Sequence, residues 1–352
     1  MALSGWNLWD FTRIDGSLSK IGVGIQDGHM AMEVTGFMNR SNYIGRLAPS
    51  PTGAQHVGNA RTFLVAWLHA SSRGGTLLLP VEDLDTPRTK EWAGDQAIED
   101  LEWLGLDWDE VADLQSLRES RYCEILGELK SQEVVYPCSC TRSEVEASSS
   151  APHESQLDGA VYAGTCASRS ASDAVDLDAR GVRYAWRFRI PESTPAWSDE
   201  LHGQQWLDAR KLLGDFVVAR SYGPTAYQLA VVADDHDQSI THVVRGDDLI
   251  YSTYRQHAIY QALGWPSPRM LHVPLVIGPD GKRLAKRHGD SRLSLMREKG
   301  HGPESLLGEL AHSLGLLKSI RPVTAEELLS IVGSRDDWLR TIPRVPWVYN
   351  PQ

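Results

Sequence analysis

At 352 residues with 41% hydrophobic composition, the chain is long enough for two domains, or one large domain with an insertion, and can bury a sizeable core. A formal net charge of −11 excludes a protein coated in basic residues, but not one that meets a nucleic acid through a local basic face. The sequence has no apolar run of membrane-spanning length, and its start lacks a basic region followed by an apolar one, so a cytoplasmic protein without membrane contact is expected.

In chain order, residues 1–42 show neither clear periodicity nor turn-bounded strands, and carry Met30, Met32 and Met38 shortly before the first convincing strand. They read as an N-terminal extension, either disordered or upstream sequence from a misassigned start. From Tyr43 the pattern turns regular: a short strand to Leu47, a turn-rich segment over 48–53, and an apolar helix from Asn59 to about Ser72, ended by Gly74 and Gly75. Residues 76–81 read as a buried strand, and amphipathic helices follow over 90–104 and 116–132. Around 148–155 the composition shifts to Ser, Ala, Pro and His, and no long helical period appears from Pro137 until Leu207. An inserted domain is expected over 133–225, between two halves of an open α/β sheet at 43–132 and 226–289. Alternation resumes with residues 227–233 and 240–245, a helix over 252–263 and a strand-like 271–277, while 290–352 is expected to be a C-terminal helical region. Such a sheet binds ligands beyond the carboxyl ends of its strands, at the switch point between halves, so the motifs should converge there.

Pro49-Ser50-Pro51-Thr52-Gly53 and His56-Val57-Gly58-Asn59 lie between a strand and a helix, where free N–H groups and the helix dipole favour a phosphate. Gly58 permits close backbone approach, and His56 can donate to a phosphate oxygen as charge builds during attack. Taken alone, the segment could equally be a turn followed by a helix-capping Asn. Gly281-Lys282-Arg283-Leu284-Ala285-Lys286-Arg287 forms a cationic loop suited to a triphosphate, with Lys286 as its key cation; taken alone it is a solvated basic turn. Three of the four cysteines cluster: Cys138-x-Cys140, then Tyr162-x3-Cys166, offers three thiolates with a phenolate or nearby His153 around a tetrahedral ion, for which Zn2+ is the natural choice. Metal-free buried thiols are the alternative. Cys123, beside Ile125 and Leu126 in a helical pattern, reads as core, and Asp247 and Asp248 sit where a helix start attracts acids on its own account.

Together, GRLAPSPTGAQHVGNAR, VEDLDTPR, YQLAVVADDHDQSITHVVRGDDL and GKRLAKR, in that order, resemble the glutamyl branch of the class I aminoacyl-tRNA synthetases over roughly residues 43–289. HVGN stands in the place of that family's HIGH signature and RLAK in the place of KMSK. The resemblance implies a Rossmann-like α/β catalytic domain that activates L-glutamate with ATP and Mg2+. It implies that His56, Gly58, Asn59, Arg283 and Lys286 bind ATP, with His56 and Lys286 catalytic. It further implies that Arg46 and Arg245 hold carboxylates of glutamate, that Glu82 holds its ammonium, that Tyr227 closes the pocket, and that Ser50 and Ala48 line it. A structural ion pair between Arg46 and Glu82 is the alternative for those two. Asn59 replaces the last His of HIGH, and Arg283 and Ala285 replace the first Lys and the Ser of KMSK, so charge survives at both ends of the loop and a hydroxyl is lost.

Cys138, Cys140, Tyr162 and Cys166 match, residue by residue, the structural zinc site of the small glutamyl-queuosine tRNA(Asp) synthetases, in which a Tyr is the fourth ligand. Too few residues follow Lys286 for the large anticodon-binding region of a complete glutamyl-tRNA synthetase, which points to the same branch. The expectation is therefore a monomer that activates glutamate without tRNA and esterifies it to queuosine in the anticodon of tRNA(Asp). The alternatives are a minimal glutamyl-tRNA synthetase charging the 3′ end of tRNA(Glu), and a non-catalytic tRNA- or nucleotide-binding paralogue.

Overall fold

A computed structural model describes residues 10–14, 17–26, 29–34, 41–80, 82–84, 89–148, 159–223, 225–282, 284, 291–335 and 337–350, the first three stretches as backbone only. Residues 1–41 and 42–352 form two compact units. In the first, β1 (Asp10–Ile14), β2 (Ser17–Gln26) and β3 (His29–Val34) form an antiparallel sheet in that order. This corrects the expectation of an unpatterned extension. Ile14 pairs with Ser17 and Gln26 with His29. The intervening residues are Asp15-Gly16 and Asp27-Gly28, each the dipeptide that suits a two-residue hairpin connection.

The second unit opens with β4 (Ile44–Arg46), α1 (Val57–Ser71), β5 (Thr76–Leu79), α2 (Glu91–Trp103) and β6 (Glu110–Val111), whose strands are parallel neighbours. The continuous run of Leu77, Leu78 and Leu79 is buried, as a central strand covered on both faces requires. The chain continues through α3 (Glu119–Ser131), β7 (Val135–Cys138), α4 (Arg142–Ser148), α5 (Ala174–Ala179), β8 (Ala185–Phe188), β9 (Trp197–Asp199), β10 (Gly203–Gln205), α6 (Ala209–Leu212) and β11 (Phe216–Arg220). It then forms α7 (Tyr227–Asp237), β12 (His242–Gly246), α8 (Ile250–Leu263), β13 (Arg269–Val273) and β14 (Val276–Ile277). Of the two apolar segments at 227–233 and 240–245, the first is thus helical and the second a strand.

β12, β13 and β9 run parallel, with β10 antiparallel at the edge. Thr241 joins this sheet to the first: Ile44 N donates to Thr241 Oγ1 at 2.8 Å, and Thr241 N donates to Ile44 O at 2.9 Å. β4 and β12 therefore lie side by side where the two halves meet, and Arg46 and Arg245 stand at their carboxyl ends.

β11, β8 and β7 form the antiparallel core of the insertion. Its expected extent over 133–225 differs from the structure at β9 and β10, which belong to the catalytic sheet, Asp199 pairing with Met270. Each of these strands has three residues, too few to show a period. After the basic loop come α9 (Leu293–Glu298), α10 (Pro303–Ser313) and α11 (Ala325–Gly333), the last opened by a capping box of Thr324 and Glu327. Leu307, Leu310 and Leu328 from α10 and α11 share one core with Leu64 and Leu68 of α1. The C-terminal part is not helical throughout, because β15 (Trp347–Val348) returns to pair in parallel with β14. Among the described residues, no helix is long and apolar enough to cross a membrane.

The seam at Thr241 can be tested directly. Thr241→Val keeps the shape but removes the acceptor of the Ile44 N–H, so the protein should lose about 1–3 kcal/mol of stability. The check is a lower urea midpoint at an unchanged denaturant slope; an unchanged midpoint would show that the seam does not depend on this hydroxyl.

Candidate active site

His56 is the N-cap of α1. Its Nδ1 accepts the Gly58 N–H at 3.1 Å, which leaves the ring proton on Nε2, and its backbone N–H is accepted by Asn59 Oδ1 at 3.2 Å. Asn59 thus completes a reciprocal cap, the residue's structural reading, while also lining the cavity described below. A Cβ at position 58 would fall 2.9 Å from the His56 ring, so any larger residue there would have to displace the imidazole from its place in the cap, where it accepts the Gly58 N–H. Val57 N donates to Ser291 O at 2.9 Å and Leu293 N to Gln55 O at 3.0 Å. The chain leaving the basic loop is therefore fastened to the HVGN segment. On the incoming side Leu284 is buried in the main core. Arg283 and Lys286 lie outside the described residues.

A cavity of about 240 Å3 at the ends of β4 and β12 brings together Arg46, Ser50, His56, Gly58, Asn59, Glu82, Tyr227 and Arg245, with Ala48 and Asp248 also on its wall. All the described residues that sequence reading placed in the ATP and glutamate sites thus line one space. The ion pair within it differs from the alternative weighed for Arg46 and Glu82. Arg46 Nε lies 2.6 Å from Asp235 Oδ1 on α7, and Arg46 Nη2 donates to Asp235 Oδ2 at 3.3 Å. Burial opposes the Arg46 charge, but Asp235, with Glu82 and Tyr227, more than compensates and holds its pKa above the ordinary value. Asp235 was not legible from sequence: ADDHD shows that acids are present but not which one faces β4.

Glu82 has no hydrogen-bond or ion-pair partner among the described residues, and burial pushes its carboxyl up to about 6 against the pull of Arg46. Arg245 is buried, and its described partners are all uncharged: His272 Nε2 at 3.2 Å, Thr253 Oγ1 at 2.6 Å, Gln256 Oε1 at 2.8 Å and Leu249 O at 3.5 Å. Its pKa is lowered by burial, which Tyr227 offsets only in part. Among the described residues, the cavity therefore presents an acid with no hydrogen-bond or ion-pair partner and a cation with no contacting counter-charge.

Away from the cavity, the sulfur atoms of Cys138, Cys140 and Cys166 lie within 4.8 Å of one another. Cys140 Sγ is 3.7 Å from Cys166 Sγ, and the Tyr162 hydroxyl is 3.3 Å from Cys138 Sγ and 3.8 Å from Cys140 Sγ. A tetrahedral ion with sulfur ligands at about 2.3 Å requires sulfur–sulfur edges of about 3.8 Å, so the donor set fits zinc in identity and spacing. The Tyr162 oxygen also accepts the Cys166 N–H at 2.7 Å, and the Arg187 guanidinium lies 3.9 Å over its ring, but burial and the neighbouring thiols outweigh the backbone bond and push the Tyr162 hydroxyl well above its ordinary pKa, so a metal would have to displace its proton. His153 lies outside the described residues. Cys123 is exposed, which corrects its reading as core: Tyr122, Ile125, Leu126 and Leu129 take the buried face of α3, and position 123 falls off that stripe.

The family described as tRNA synthetases class I (E and Q), catalytic domain, matches residues 44–333. The chain is 46% identical over 322 residues to the glutamyl-Q tRNA(Asp) synthetase of Rhodopirellula baltica, covering 88% of this chain and 97% of that protein. It is 48% identical over 299 residues to the protein of the same name from Deinococcus radiodurans, covering 82% and 96%. With glutamate–tRNA ligase 2 of Syntrophus aciditrophicus the identity is 39% over 282 residues, covering 78% of this chain but 58% of that one. Among solved structures, a glutamate-tRNA synthetase from Elizabethkingia anophelis shares the fold with a TM-score of 0.72 at 25% identity, over 87% of this chain and 68% of the other. A chain matched along its catalytic unit by this family model, and along nearly the whole length of such relatives, belongs to the class I glutamyl- and glutaminyl-tRNA synthetase family and, within it, to the glutamyl-Q tRNA(Asp) synthetases.

Proposed function

We propose that the protein activates glutamate with ATP to glutamyl-adenylate without tRNA, and transfers the glutamyl group to queuosine in the anticodon of tRNA(Asp). The observation that carries this reading is the cavity itself, where Arg245, Glu82 and the His56-capped start of α1 meet. The near full-length match to relatives named for this activity supports the acceptor and does not favour charging of a 3′ end. Glu82 takes the ammonium and the two arginines face carboxylates. A glutamate carboxylate oxygen forms a bond to the α-phosphorus of ATP as the bond to the β-phosphate oxygen breaks, and pyrophosphate leaves with Mg2+. His56 donates through Nε2–H to the phosphate, and Lys286 and Arg283 meet the charge on the departing pyrophosphate; the contribution is positioning and charge stabilisation. A hydroxyl of the queuosine cyclopentene-diol then attacks the activated carbonyl, and AMP leaves. Zinc held by Cys138, Cys140, Tyr162 and Cys166 would be structural, since four protein ligands leave no open position.

Three measurements test this reading. ATP–pyrophosphate exchange should occur with glutamate in the absence of tRNA, and Lys286→Ala should reduce it roughly 100-fold or more at a similar KM for glutamate; exchange within about threefold of wild type would remove Lys286 from the mechanism. The second is pH dependence. Glu82 binds the ammonium only when ionised, and its carboxyl titrates near 6 in the free protein. KM for glutamate should therefore be flat above about pH 7 and rise as pH falls through 6, by about tenfold per unit below it, a dependence that Glu82→Gln abolishes along with tight binding. A flat wild-type profile down to pH 5 would exclude this role. Third, elemental analysis should find one zinc per chain, and Cys140→Ser should lower metal content and melting temperature while glutamate activation persists in part. Zinc-free wild-type protein would overturn the metal assignment, and a folded zinc-free variant without adenylate formation would overturn its structural role.

A further inference from the structure

Behind Arg245 lies a buried polar chain that contact with substrate does not require. Asp199, at the end of β9, and His272, on β13, have fully buried side chains. Asp199 Oδ1 accepts the N–H groups of Leu201 at 2.9 Å and His202 at 2.8 Å, and Oδ2 accepts the His272 backbone N–H at 3.0 Å and Nδ1 at 2.7 Å. Four N–H donors converge on one carboxylate, which fixes it as the anion and places the imidazole proton on Nδ1. Burial depresses His272 to about 4 despite the attraction of Asp199, so the ring is neutral and Nε2 offers a lone pair. That lone pair accepts the Arg245 Nε–H at 3.2 Å and is shared with the Thr253 hydroxyl at 3.0 Å, whose oxygen in turn accepts from Arg245 Nη2 at 2.6 Å.

The remaining grip on Arg245 is equally neutral and is itself held. Gln256 Oε1 accepts from Arg245 Nη2, and Gln256 Nε2 donates to Gln228 Oε1 at 3.0 Å, whose Nε2 donates to Ser252 Oγ at 3.0 Å. Arg245 Nη1 has no hydrogen-bond partner among the described residues, and the residue lines the cavity. Arg46 is the contrast, with Asp235 already in contact.

We propose that Asp199 and His272 are a positioning pair that orients Arg245 through a neutral acceptor, and so makes the cavity select a side-chain carboxylate over a carboxamide. The inference rests on the reading of the cavity as a glutamate site and adds the source of its discrimination. An acid placed directly against Arg245 would orient the guanidinium but also neutralise it, and glutamine would then fit about as well as glutamate. A neutral imidazole gives orientation without neutralisation, so the buried cation keeps its need for a counter-charge that only a carboxylate ligand supplies. The return of β9 from the insertion to the catalytic sheet is what delivers Asp199 to this position.

The test is tRNA-free ATP–pyrophosphate exchange on the full chain, with glutamate and glutamine compared, for wild type, His272→Phe and His272→Gln. His272→Phe should raise KM for glutamate roughly 10–100-fold, leave KM for ATP within about twofold, and reduce the preference for glutamate over glutamine by a similar factor to the loss in KM. His272→Gln, whose Oε1 can take the place of Nε2, should recover most of that loss. The proposal is overturned by a folded His272→Phe protein with unchanged KM and preference, by a parallel rise in KM for ATP and glutamate, or by a His272→Gln protein of wild-type melting temperature that still discriminates poorly. Wild-type protein that exchanges with neither amino acid, or equally with both, overturns the glutamate site itself and is distinguished by needing no variant.

Discussion

Two guanidinium groups, Arg46 and Arg245, are buried at the carboxyl ends of adjacent strands, and the surrounding site is organised by the cost of keeping both charged. Their proximity follows from the seam at which Thr241 joins β12 to β4. The fold answers the two charges differently. Arg46 receives Asp235 directly, whereas Arg245 is oriented by neutral groups. One cation is thus paired with an acid in the free protein, while the described hydrogen-bond partners of the other carry no opposite charge. Glu82 complements this asymmetry: with no hydrogen-bond or ion-pair partner among the described residues, its carboxyl is kept raised by burial.

The start of α1 shows how a signature can change while its mechanics persist. A helix start must satisfy its free N–H groups, and His56 and Asn59 do so for each other and for Gly58. The cap fixes the tautomer of His56, so the residue suited to meet a phosphate is held by the same bonds that begin the helix. The backbone bonds from Val57 to Ser291 and from Leu293 to Gln55 then bind the end of the basic loop to that cap. Ser291, the first described residue after that loop, is thereby anchored one residue from His56.

Much of this was legible in the sequence because the motif residues sit at strand ends and helix starts, where local pattern predicts position. Arg46, His56, Glu82, Tyr227 and Arg245 fall into one cavity for that reason. The groups that orient them were not legible. Asp235 is one of two adjacent acids on α7, and its neighbour Asp234 turns to Tyr122, Gln115 and Arg118 instead. Asp199 and His272 meet across 73 residues, through a three-residue strand with no readable period. Residues 10–34 show the reverse case: two Asp-Gly dipeptides carry a hairpin signal where no long amphipathic pattern accompanies it. Cys123 shows the limit of inferring burial from neighbours alone, since one step around a helix moves a residue by about 100°.

The cysteine cluster and the cavity are separate, yet the chain joins them by a short path. Cys138 ends β7, which pairs with β8, which pairs with β11. From β11 the Ala226 N–H returns to Val218 O at 2.9 Å, and Ala219 bridges Thr225, two residues before Tyr227 opens α7 at the cavity wall. The same sheet is braced from within by Asp215, which accepts from the Tyr136 hydroxyl at 2.7 Å and from Ile190 N at 2.9 Å. A cross-link at the β7 end of this sheet would therefore act on the element that leads to Tyr227. A structural ion there would influence the geometry of the pocket through backbone register, with no ligand of its own in contact with the substrate.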